Sequence, residues 1–471
     1  MLSHHFRSLF ILFILLISNT FAQQEYFQVA GTWSGRLEQP NLRLVFNIEA
    51  DSTGILRATM DSPDQGAKKI STDTVIVKGD TLRIEIKKIQ GYYLGVISED
   101  YQSIKGNWNQ GGYSLKLDLI RGKLSGPNRP QEPKQPYPYK EEEVVFQNSK
   151  DNIKLFGTLT LPEKGEDFPA VILVTGSGPQ NRNEELMGHK PFLVLSDYLT
   201  RRGIAVLRYD DRGVGKSEGN FSSAITPDFT QDALSAIEYL KTRKEINKDK
   251  LGVIGHSEGG MIAPLVANKD KDVSFIVLLA GPGLTGEQIL LKQAALIQKV
   301  YGFTDERIAK EQKMASKIYD VLRATEDTVV TRQKIEKLLD EYYITLDSTE
   351  KSQLGNSSAI LKANAKSFYS PWFRYFLNYD PAPELKKIKI PVLALNGDKD
   401  LQVPADENLK AIEDALNEGG NDDYKIVKMP GLNHLFQKSV TGSPEEYGKS
   451  EETFNEDAMK IIADWILEIT D

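Results

Sequence analysis

The sequence predicts two folded units, a small all-β domain followed by a doubly wound, mostly parallel α/β sheet. Residues 23–121 alternate short apolar runs, polar residues and turn signals, which is typical of an antiparallel barrel or sandwich. Residues 141–471 alternate continuous apolar runs with helical patterns, as expected for parallel strands covered on both faces. The proline-rich residues 122–140 lie between the two units and predict an extended, semi-rigid linker.

The composition is that of a globular protein that lacks cysteine. Of the 471 residues, 40% are hydrophobic and 26% are charged, and the formal net charge is -8. An acidic chain without a basic stripe argues against a nucleic-acid partner. The absence of cysteine excludes disulfides, thiolate nucleophiles and cysteine-bound zinc, so stability must come from packing.

Residues 1–22 resemble a secretory signal peptide. Arg7 precedes an apolar run at residues 9–17, and Ala22 is a small residue at a cleavage position. An uncleaved anchor is the alternative, but a membrane-spanning helix needs about 20 apolar residues, more than this run contains. We therefore expect cleavage after Ala22 and an exported protein, periplasmic or secreted, with no later segment that spans a bilayer.

In the predicted β domain, two tryptophans stand near the ends of the strand series. Trp33 follows Gly31-Thr32, Trp108 follows Gly106-Asn107, and both resemble the strand-opening tryptophan of lipocalin-like barrels. We expect the two rings to close the core of the domain. The alternative is that they line a ligand cavity.

The second unit begins with a predicted antiparallel pair and continues with parallel strands. The pair lies at residues 144–146 and 153–161, and helical patterns occupy residues 191–202 and 229–244. The parallel strands are predicted at residues 170–174, 204–208, 251–254, 275–279 and 391–395.

Between about residues 284 and 387 the alternation stops, and a helical insertion is predicted as a cap over the sheet edge. Helical patterns cover residues 288–301, 305–324 and 331–343. The segment 370–376 carries aromatic residues, among them Trp372, at helical spacing. Core packing and a substrate-facing wall are both open interpretations of these aromatics.

Residues 251–260 predict an exposed nucleophilic serine. A short apolar strand ends in Gly255-x-Ser257-x-Gly259 and leads into a helix rich in Ala, Leu and Ile. A sharp strand-to-helix turn forces its middle residue into strained backbone angles, and glycines on both sides leave room for it. Ser257 would then stand at a helix N-terminus, which favours developing negative charge.

A serine hydroxyl needs an adjacent base, most often histidine. Two of the five histidines lie in the predicted signal peptide, His256 faces away across the elbow, and His189 precedes a helix. His434 follows the apolar run 424–429, a predicted final strand, and so lies at the same sheet edge as Ser257. We therefore predict His434 as the base, against the alternative of a loop histidine that caps a helix.

The acid should fall between serine and histidine in chain order. Asp398 and Asp400 both follow the strand that ends at Leu395. From position alone, either carboxylate can be the acid that orients His434.

Five motifs in order resemble the α/β-hydrolase family, in particular bacterial dienelactone-hydrolase-like carboxylesterases that carry a small N-terminal β domain. The first two are Thr-Gly-Ser-Gly-Pro-Gln at 175–180 and Arg-Tyr-Asp-Asp-Arg-Gly-Val-Gly-Lys-Ser at 208–217. The elbow, Gly-Asp-Lys-Asp at 397–400 with Val403-Pro404, and Gly-Leu-Asn-His at 431–434 complete the set. The resemblance covers residues 141–471 and selects Asp400 by the family's Gly-x-x-Asp spacing, with Asp398 in the turn.

The same resemblance implies an oxyanion hole built from two backbone N–H groups. One belongs to Glu258, directly after the nucleophile, and the other to Ser177, with Gly176 or Gly178 as alternatives. Thr175 replaces the usual His-Gly opening of that loop.

Other polar residues near these motifs have more than one interpretation. The resemblance makes residues 210–213 structural, with Arg212 holding loops beneath the site. Gln180 and Trp372 are candidates to line the substrate site. Residues 182–184 either line its entrance or form a solvated rim.

The predicted reaction is hydrolysis of small or medium-sized acyl esters, without metal or organic cofactor. A prolyl-oligopeptidase-like peptidase uses the same triad, but residues 23–122 are too few for its β-propeller. Thioester or lactone hydrolysis also fits the triad. The non-enzymatic alternative is a ligand- or glycan-binding protein with an inert hydrolase fold.

Overall fold

The computed structural model describes residues 28–37, 42–65, 67–122, 128–354 and 357–471. The predicted signal peptide, residues 1–22, lies outside these ranges. The chain folds into two compact units. The first holds the described residues up to Gly122 together with Leu186–Gly188, and the second holds Asn128–Glu185 and His189–Asp471.

The first unit is all-β, as predicted. Its described residues form one ten-stranded antiparallel sheet in the order β4-β3-β2-β1-β10-β8-β7-β6-β5, with β9 paired to β8. Apolar residues from β3 and β6, on opposite arms of the sheet, belong to one core, so the sheet curls around a single interior. The strands are β1 (Gly31–Leu37), β2 (Leu42–Ala50), β3 (Leu56–Ser62), β4 (Ala67–Ser71), β5 (Thr74–Lys78), β6 (Thr81–Ile86), β7 (Gly91–Ile97), β8 (Ser103–Gln110), β9 (Tyr113–Lys116) and β10 (Leu119–Arg121).

The two tryptophans of this unit differ in their surroundings. Trp33 is fully buried, its Nε1 donates to the Val29 carbonyl at 2.7 Å, and the Arg121 guanidinium lies over its ring. Trp108 is also buried, but it lines a cavity of about 670 Å³ together with leucine, isoleucine and methionine side chains. Trp33 therefore closes the core as predicted, whereas Trp108 borders a cavity.

The second unit contains an eight-stranded sheet in the order β11-β12-β14-β13-β15-β16-β17-β18. β11 pairs antiparallel with β12, β12 pairs antiparallel with β14, and the remaining pairs are parallel. The predicted doubly wound sheet is confirmed. The strands are β11 (Tyr139–Asn148), β12 (Ile153–Pro162), β13 (Phe168–Val174), β14 (Ala205–Tyr209), β15 (Ile246–His256), β16 (Val273–Leu279), β17 (Val392–Gly397) and β18 (Tyr424–Met429).

Helices cover both faces of this sheet because successive strand residues point to opposite faces. One apolar core contains side chains of α1 (Pro191–Arg201) and α13 (Glu456–Thr470). The core on the other face contains side chains of α2 (Thr226–Lys241), α3 (Glu258–Lys269) and α11 (Ala405–Glu418).

The predicted cap is a set of helices between β16 and β17. Ile318, Leu322 and Ile335 are among the residues of a separate apolar core within it. Every helix in the described ranges is too short or too polar to span a membrane. The helices of the insertion are α4 (Gly286–Val300), α5 (Asp305–Ala324), α6 (Thr328–Ile344), α7 (Ser348–Gln353), α8 (Ala359–Asn364), α9 (Pro371–Asn378) and α10 (Ala382–Leu385); α12 (Pro444–Tyr447) follows β18.

The described part of the proline-rich segment is attached to the second unit. The Arg129 guanidinium donates to the carbonyls of Gly448 and Ser450, and the Gln131 amide binds the backbone of Thr453. Because these side chains satisfy backbone groups of a distant loop, the chain from Asn128 onward belongs to that unit and is not a free tether.

Candidate active site

The turn at Ser257 has the geometry that its glycines predict. β15 ends at His256, α3 begins at Glu258, and Ser257 has φ 52° and ψ −114°. A Cβ on Gly255 would lie 2.0 Å from the Gly259 carbonyl oxygen, so a side chain there is impossible without moving backbone. The glycine spacing therefore permits a tight elbow that places Ser257 at the N-terminus of α3.

Asp400 and His434 form a buried pair on the loops after β17 and β18. Asp400 Oδ2 lies 2.7 Å from His434 Nδ1, and the side chains are 0% and 5% exposed. Asp400 Oδ1 accepts the N–H groups of Gln402 and Val403 at 2.8 and 2.9 Å. A carboxylate that accepts at both oxygens assigns the proton to Nδ1, which leaves the lone pair of the imidazole on Nε2.

Asp398, the alternative acid, has a different partner. Its Oδ1 accepts the N–H of Gly431 at 2.7 Å. It ties the turn after β17 to the loop after β18, so the structure pairs Asp400, and not Asp398, with His434.

His256 connects the elbow to the His434 loop. Its Nε2 lies 2.9 Å from the His434 carbonyl oxygen, and the two ring centroids are 4.8 Å apart. Since His256 directly precedes Ser257, this contact brings Ser257, Asp400 and His434 to one region at the carboxyl edge of the sheet.

Glu184 is a site residue that the sequence reasoning placed wrongly. It is 4% exposed, whereas we expected a residue at the entrance or on a solvated rim. Its Oε1 lies 2.8 Å from His256 Nδ1 and also accepts the N–H of Gly176 at 2.8 Å. The one signal in the sequence was indirect: a histidine at the end of a buried strand needs polar partners.

The hydrogen bonds of His256 assign its protonation state. Its Nε2 faces a carbonyl oxygen, which only accepts, and its Nδ1 faces the Glu184 oxygen that already accepts from Gly176. Both ring nitrogens therefore donate, as in an imidazolium. Burial by itself lowers the pKa of His256, but the charge of Glu184 and its hydrogen bond outweigh burial and raise that pKa above its usual value.

The loop after β13 lies directly against Ser257. A Cβ on Gly176 would come within 3.1 Å of Ser257 Cβ. Because the N–H of Gly176 donates to Glu184, it is not available to an oxyanion. Of the three predicted loop donors, Ser177 and Gly178 remain.

Asp211 holds both ends of this loop. Its Oδ1 accepts from Thr175 Oγ1 and its Oδ2 from the Gln180 N–H, both at 2.9 Å. Burial raises the pKa of Asp211 well above its usual value. Gln180, a predicted substrate-lining residue, is thus fixed through its backbone.

Arg212 has the loop-holding contacts that the family resemblance implied. Its guanidinium donates to Asp232 at 2.7 Å and to Asp151 at 2.8 Å, and all three belong to different segments around β12 and α2. The cluster at residues 210–213 supports the loops rather than presenting free carboxylates.

Trp372, the other predicted substrate-lining residue, lies on cap helix α9. Its Nε1 donates to Glu258 Oε1 at 2.8 Å, and its ring stacks on Phe376. Glu258, which directly follows Ser257, is therefore in direct contact with the cap.

Both ring nitrogens of His189 are occupied by hydrogen bonds outside the Ser257 site. It is fully buried, with Nδ1 2.9 Å from Thr453 Oγ1 and Nε2 2.8 Å from the Tyr447 carbonyl oxygen. Burial, with the nearby Arg129 charge, lowers the pKa of His189 to about 4. It is a neutral scaffold residue. Within the described ranges, no group of three His, Asp or Glu side chains is arranged to hold a metal ion.

This chain is similar in sequence to two curated proteins and in structure to a solved esterase. Esterase EstD of Thermotoga maritima is 28% identical over 62% of this chain, and the match spans 61% of the length of EstD. Uncharacterized protein YfhR of Escherichia coli is 30% identical over 31% of this chain and 48% of its own. The solved esterase Pf2001 of Pyrococcus furiosus covers 74% of this chain and 99% of its own, with 17% identity and a TM-score of 0.43.

The family match spans the elbow, the cap and the loops that carry Asp400 and His434. It extends over residues 191–438, more than half of the 471 residues. With the eight-stranded sheet and the helical insertion, this match shows that the chain belongs to the α/β-hydrolase family described as "Serine aminopeptidase, S33".

Proposed function

We propose that the protein is a serine hydrolase that cleaves carboxylic esters of small or medium-sized acyl groups. The observation that carries this proposal is the Asp400–His434 pair at 2.7 Å, on the sheet edge where the elbow presents Ser257. The esterase name of EstD, a relative at 28% identity, supports an ester bond as the target.

In the proposed reaction, Ser257 Oγ attacks the ester carbonyl while His434 Nε2 takes its proton. Asp400 keeps the proton of Nδ1 in place and stabilises the imidazolium. His434 then returns its proton to the departing alcohol, which leaves an acyl-Ser257 ester. In the second half, His434 takes a proton from water as the water attacks the acyl carbon. It then returns the proton to Ser257 Oγ, and the carboxylic acid is released.

The oxyanion of each tetrahedral intermediate would be held by backbone donors. We assign them to the N–H of Glu258 and to an N–H of the loop after β13, from Ser177 or Gly178. The N-terminus of α3 adds the favourable end of its helix dipole. Losing one such donor costs about 10²–10³ in kcat in a comparable site.

An aminopeptidase is the second candidate, because the description of the family names that activity. The same triad serves both reactions, since His434 would protonate an amine in place of an alcohol. A thioester differs only in its leaving group. The prolyl-oligopeptidase type lacks support because the first unit is too small for a β-propeller.

We also propose that the protein is exported, to the periplasm or the medium, with residues 1–22 removed. The support is the pattern of residues 1–22, a charged start, an apolar run and a small residue at the cleavage position. The N-terminal sequence of the protein isolated from its native compartment tests this. Gln23 as the first residue is expected, and a retained Met1 contradicts it.

The test of the activity uses protein beginning at Gln23 and the matched variant Ser257→Ala. A fluorophosphonate probe should label the wild type alone, and chromogenic acetate to octanoate esters should be turned over by the wild type alone. Aminoacyl anilides and acyl thioesters are assayed beside them. No labelling of the wild type, or equal ester turnover by the alanine variant, contradicts the proposal. Faster cleavage of anilides than of esters supports the aminopeptidase.

A further inference from the structure

Glu258 has two separate connections in the site. Its backbone N–H follows the nucleophile, while its side chain is buried, at 3% exposed. Its Oε1 accepts from Thr226 Oγ1 at 2.7 Å and from Trp372 Nε1 at 2.8 Å. Thr226 begins α2 against the sheet, whereas Trp372 belongs to the cap. One oxygen therefore joins the elbow to the sheet layer and to the cap.

Trp372 lies where three apolar clusters meet. Its partly buried side chain packs against the core on the α2–α3 face of the sheet and against the cap core. It also packs against a small cluster that contains Phe376 and Val403, and its ring stacks on Phe376 at 5.1 Å. Since the N–H of Val403 donates to Asp400, α9 contacts both the oxyanion side and the acid side of the site.

We propose that Glu258 is a positioning residue that fixes the cap through Trp372 and so sets the acyl-chain length that the site accepts. This inference rests on the proposed esterase activity. The bond from Glu258 to Trp372 holds α9 against the elbow, and the aromatic face of α9 forms the wall that limits the acyl chain.

Breaking the hydrogen bond between Trp372 and Glu258 costs free energy. Moving α9 away would take a donor from a buried acceptor, and an unpaired buried polar group is strongly unfavourable. Burial raises the pKa of Glu258. Both protonation states still accept, because the carbonyl oxygen of a neutral carboxyl accepts as a carboxylate oxygen does. An amide oxygen at this position should also accept both bonds.

Four variants of the full mature chain separate a cap contact from general support. Trp372→Phe removes the cap donor and keeps an aromatic ring, while Thr226→Val removes the other donor to the same oxygen and leaves the Trp372 donor in place. Glu258→Met removes the acceptor, and Glu258→Gln restores one. The readout is the ratio of kcat/KM for octanoate ester to that for acetate ester.

We expect Trp372→Phe and Glu258→Met to raise this ratio about tenfold through a lower KM for octanoate, as expected for the loss of about one buried hydrogen bond. Thr226→Val should leave the ratio within about twofold, and Glu258→Gln should return it toward the wild-type value. An equal change in Thr226→Val and Trp372→Phe overturns the proposal. So does a change in Glu258→Gln as large as that in Glu258→Met.

A second measurement does not depend on turnover. In a Ser257→Ala background, Trp372→Phe should speed amide hydrogen exchange in residues 371–378 about tenfold, while Thr226→Val should not. Unchanged exchange in this segment contradicts the cap contact. If the wild type cleaves no ester, the proposed activity fails, and hydrogen exchange alone then decides whether Glu258 fixes the cap.

Discussion

Two buried histidine–carboxylate pairs lie side by side in this protein, and they are suited to different tasks. Asp400 binds His434 at 2.7 Å and Glu184 binds His256 at 2.8 Å, with the two rings 4.8 Å apart. Both pairs join an imidazole to a carboxylate, but the second ring nitrogen of His256 donates to the His434 carbonyl. The surroundings of that nitrogen, and not the pair itself, decide whether a histidine can act as a base.

Replacing the two histidines in parallel gives the largest expected contrast. His434→Ala should lower kcat/KM for acetate ester by about 10⁵-fold, because the proposed reaction loses its base. Adding Ser257→Ala should cost little more, since the residues act as a unit. His256→Gln should retain more than about a hundredth of the activity, because it only positions loops. Losses of equal size in the two single variants would contradict the division of tasks.

The two candidate acids provide the next contrast. Asp400→Asn should lower kcat by about 10⁴-fold, because an amide no longer fixes the tautomer of His434. Asp398→Asn is the matched control, because Asp398 lies in the same turn but binds Gly431. It should stay within about threefold of the wild type, since the amide oxygen of asparagine can still accept the Gly431 N–H and His434 keeps its partner Asp400. Steady-state kinetics on the acetate ester checks both.

Glu184→Gln tests the supporting pair. Removing the carboxylate leaves His256 without its counter-charge, so we expect a loss of about 3–5 kcal/mol in the free energy of unfolding. The activity should fall by about tenfold, because the uncharged amide holds His256, and with it the His434 loop, less firmly in place. Urea denaturation and ester kinetics measure the two effects. An unchanged stability would contradict the buried ion pair.

The pH dependence of stability distinguishes His256 from the neutral His189. The pKa of His256 is raised in the fold, so its contribution is complete below about pH 6.5 and is lost as the pH rises through the higher folded value. The pKa of His189 is lowered to about 4, so its contribution is complete above about pH 6.5 and is lost as the pH falls toward 4.

Urea denaturation of His256→Gln and His189→Gln beside the wild type, from about pH 5 to pH 9, checks these signs. The stability difference caused by His256→Gln should shrink toward high pH, and that caused by His189→Gln should shrink toward low pH. The same trend in both variants would contradict the opposite protonation states.

Much of the fold followed from the sequence because its signals are local. Continuous apolar runs identified β13 to β17, and alternation identified the all-β unit. The attachment of the proline-rich segment to the second unit did not follow from the sequence, since the side chains of Arg129 and Gln131 bind a loop more than 300 residues away in the chain. No local pattern reports such a contact.

In the candidate site, too, some residues follow from local motifs and others only from tertiary packing. Ser257, Asp400 and His434 lie on three motifs, each next to a strand end, so the order of strands was enough to bring them to one edge. Glu184 lies 72 residues from His256 and carries no motif, and its burial followed only from the packing of the loop after β13. Likewise, the sequence could not exclude Gly176 as an oxyanion donor. Its N–H is occupied by Glu184, and that hydrogen bond is a tertiary contact.

The sequence by itself determined the elbow, because the steric limits at Gly255 and Gly259 act over a few residues and admit no larger side chain. It also predicted Ser257, Asp400 and His434 as the nucleophile, acid and base of the proposed reaction. Only the tertiary structure decided that His256 is held between Glu184 and the His434 carbonyl, and that Glu258 binds Trp372 of the cap. The physical reason is that a hydrogen bond depends on atoms within about 3 Å, and distant segments reach that separation only when the whole sheet and its insertion have packed.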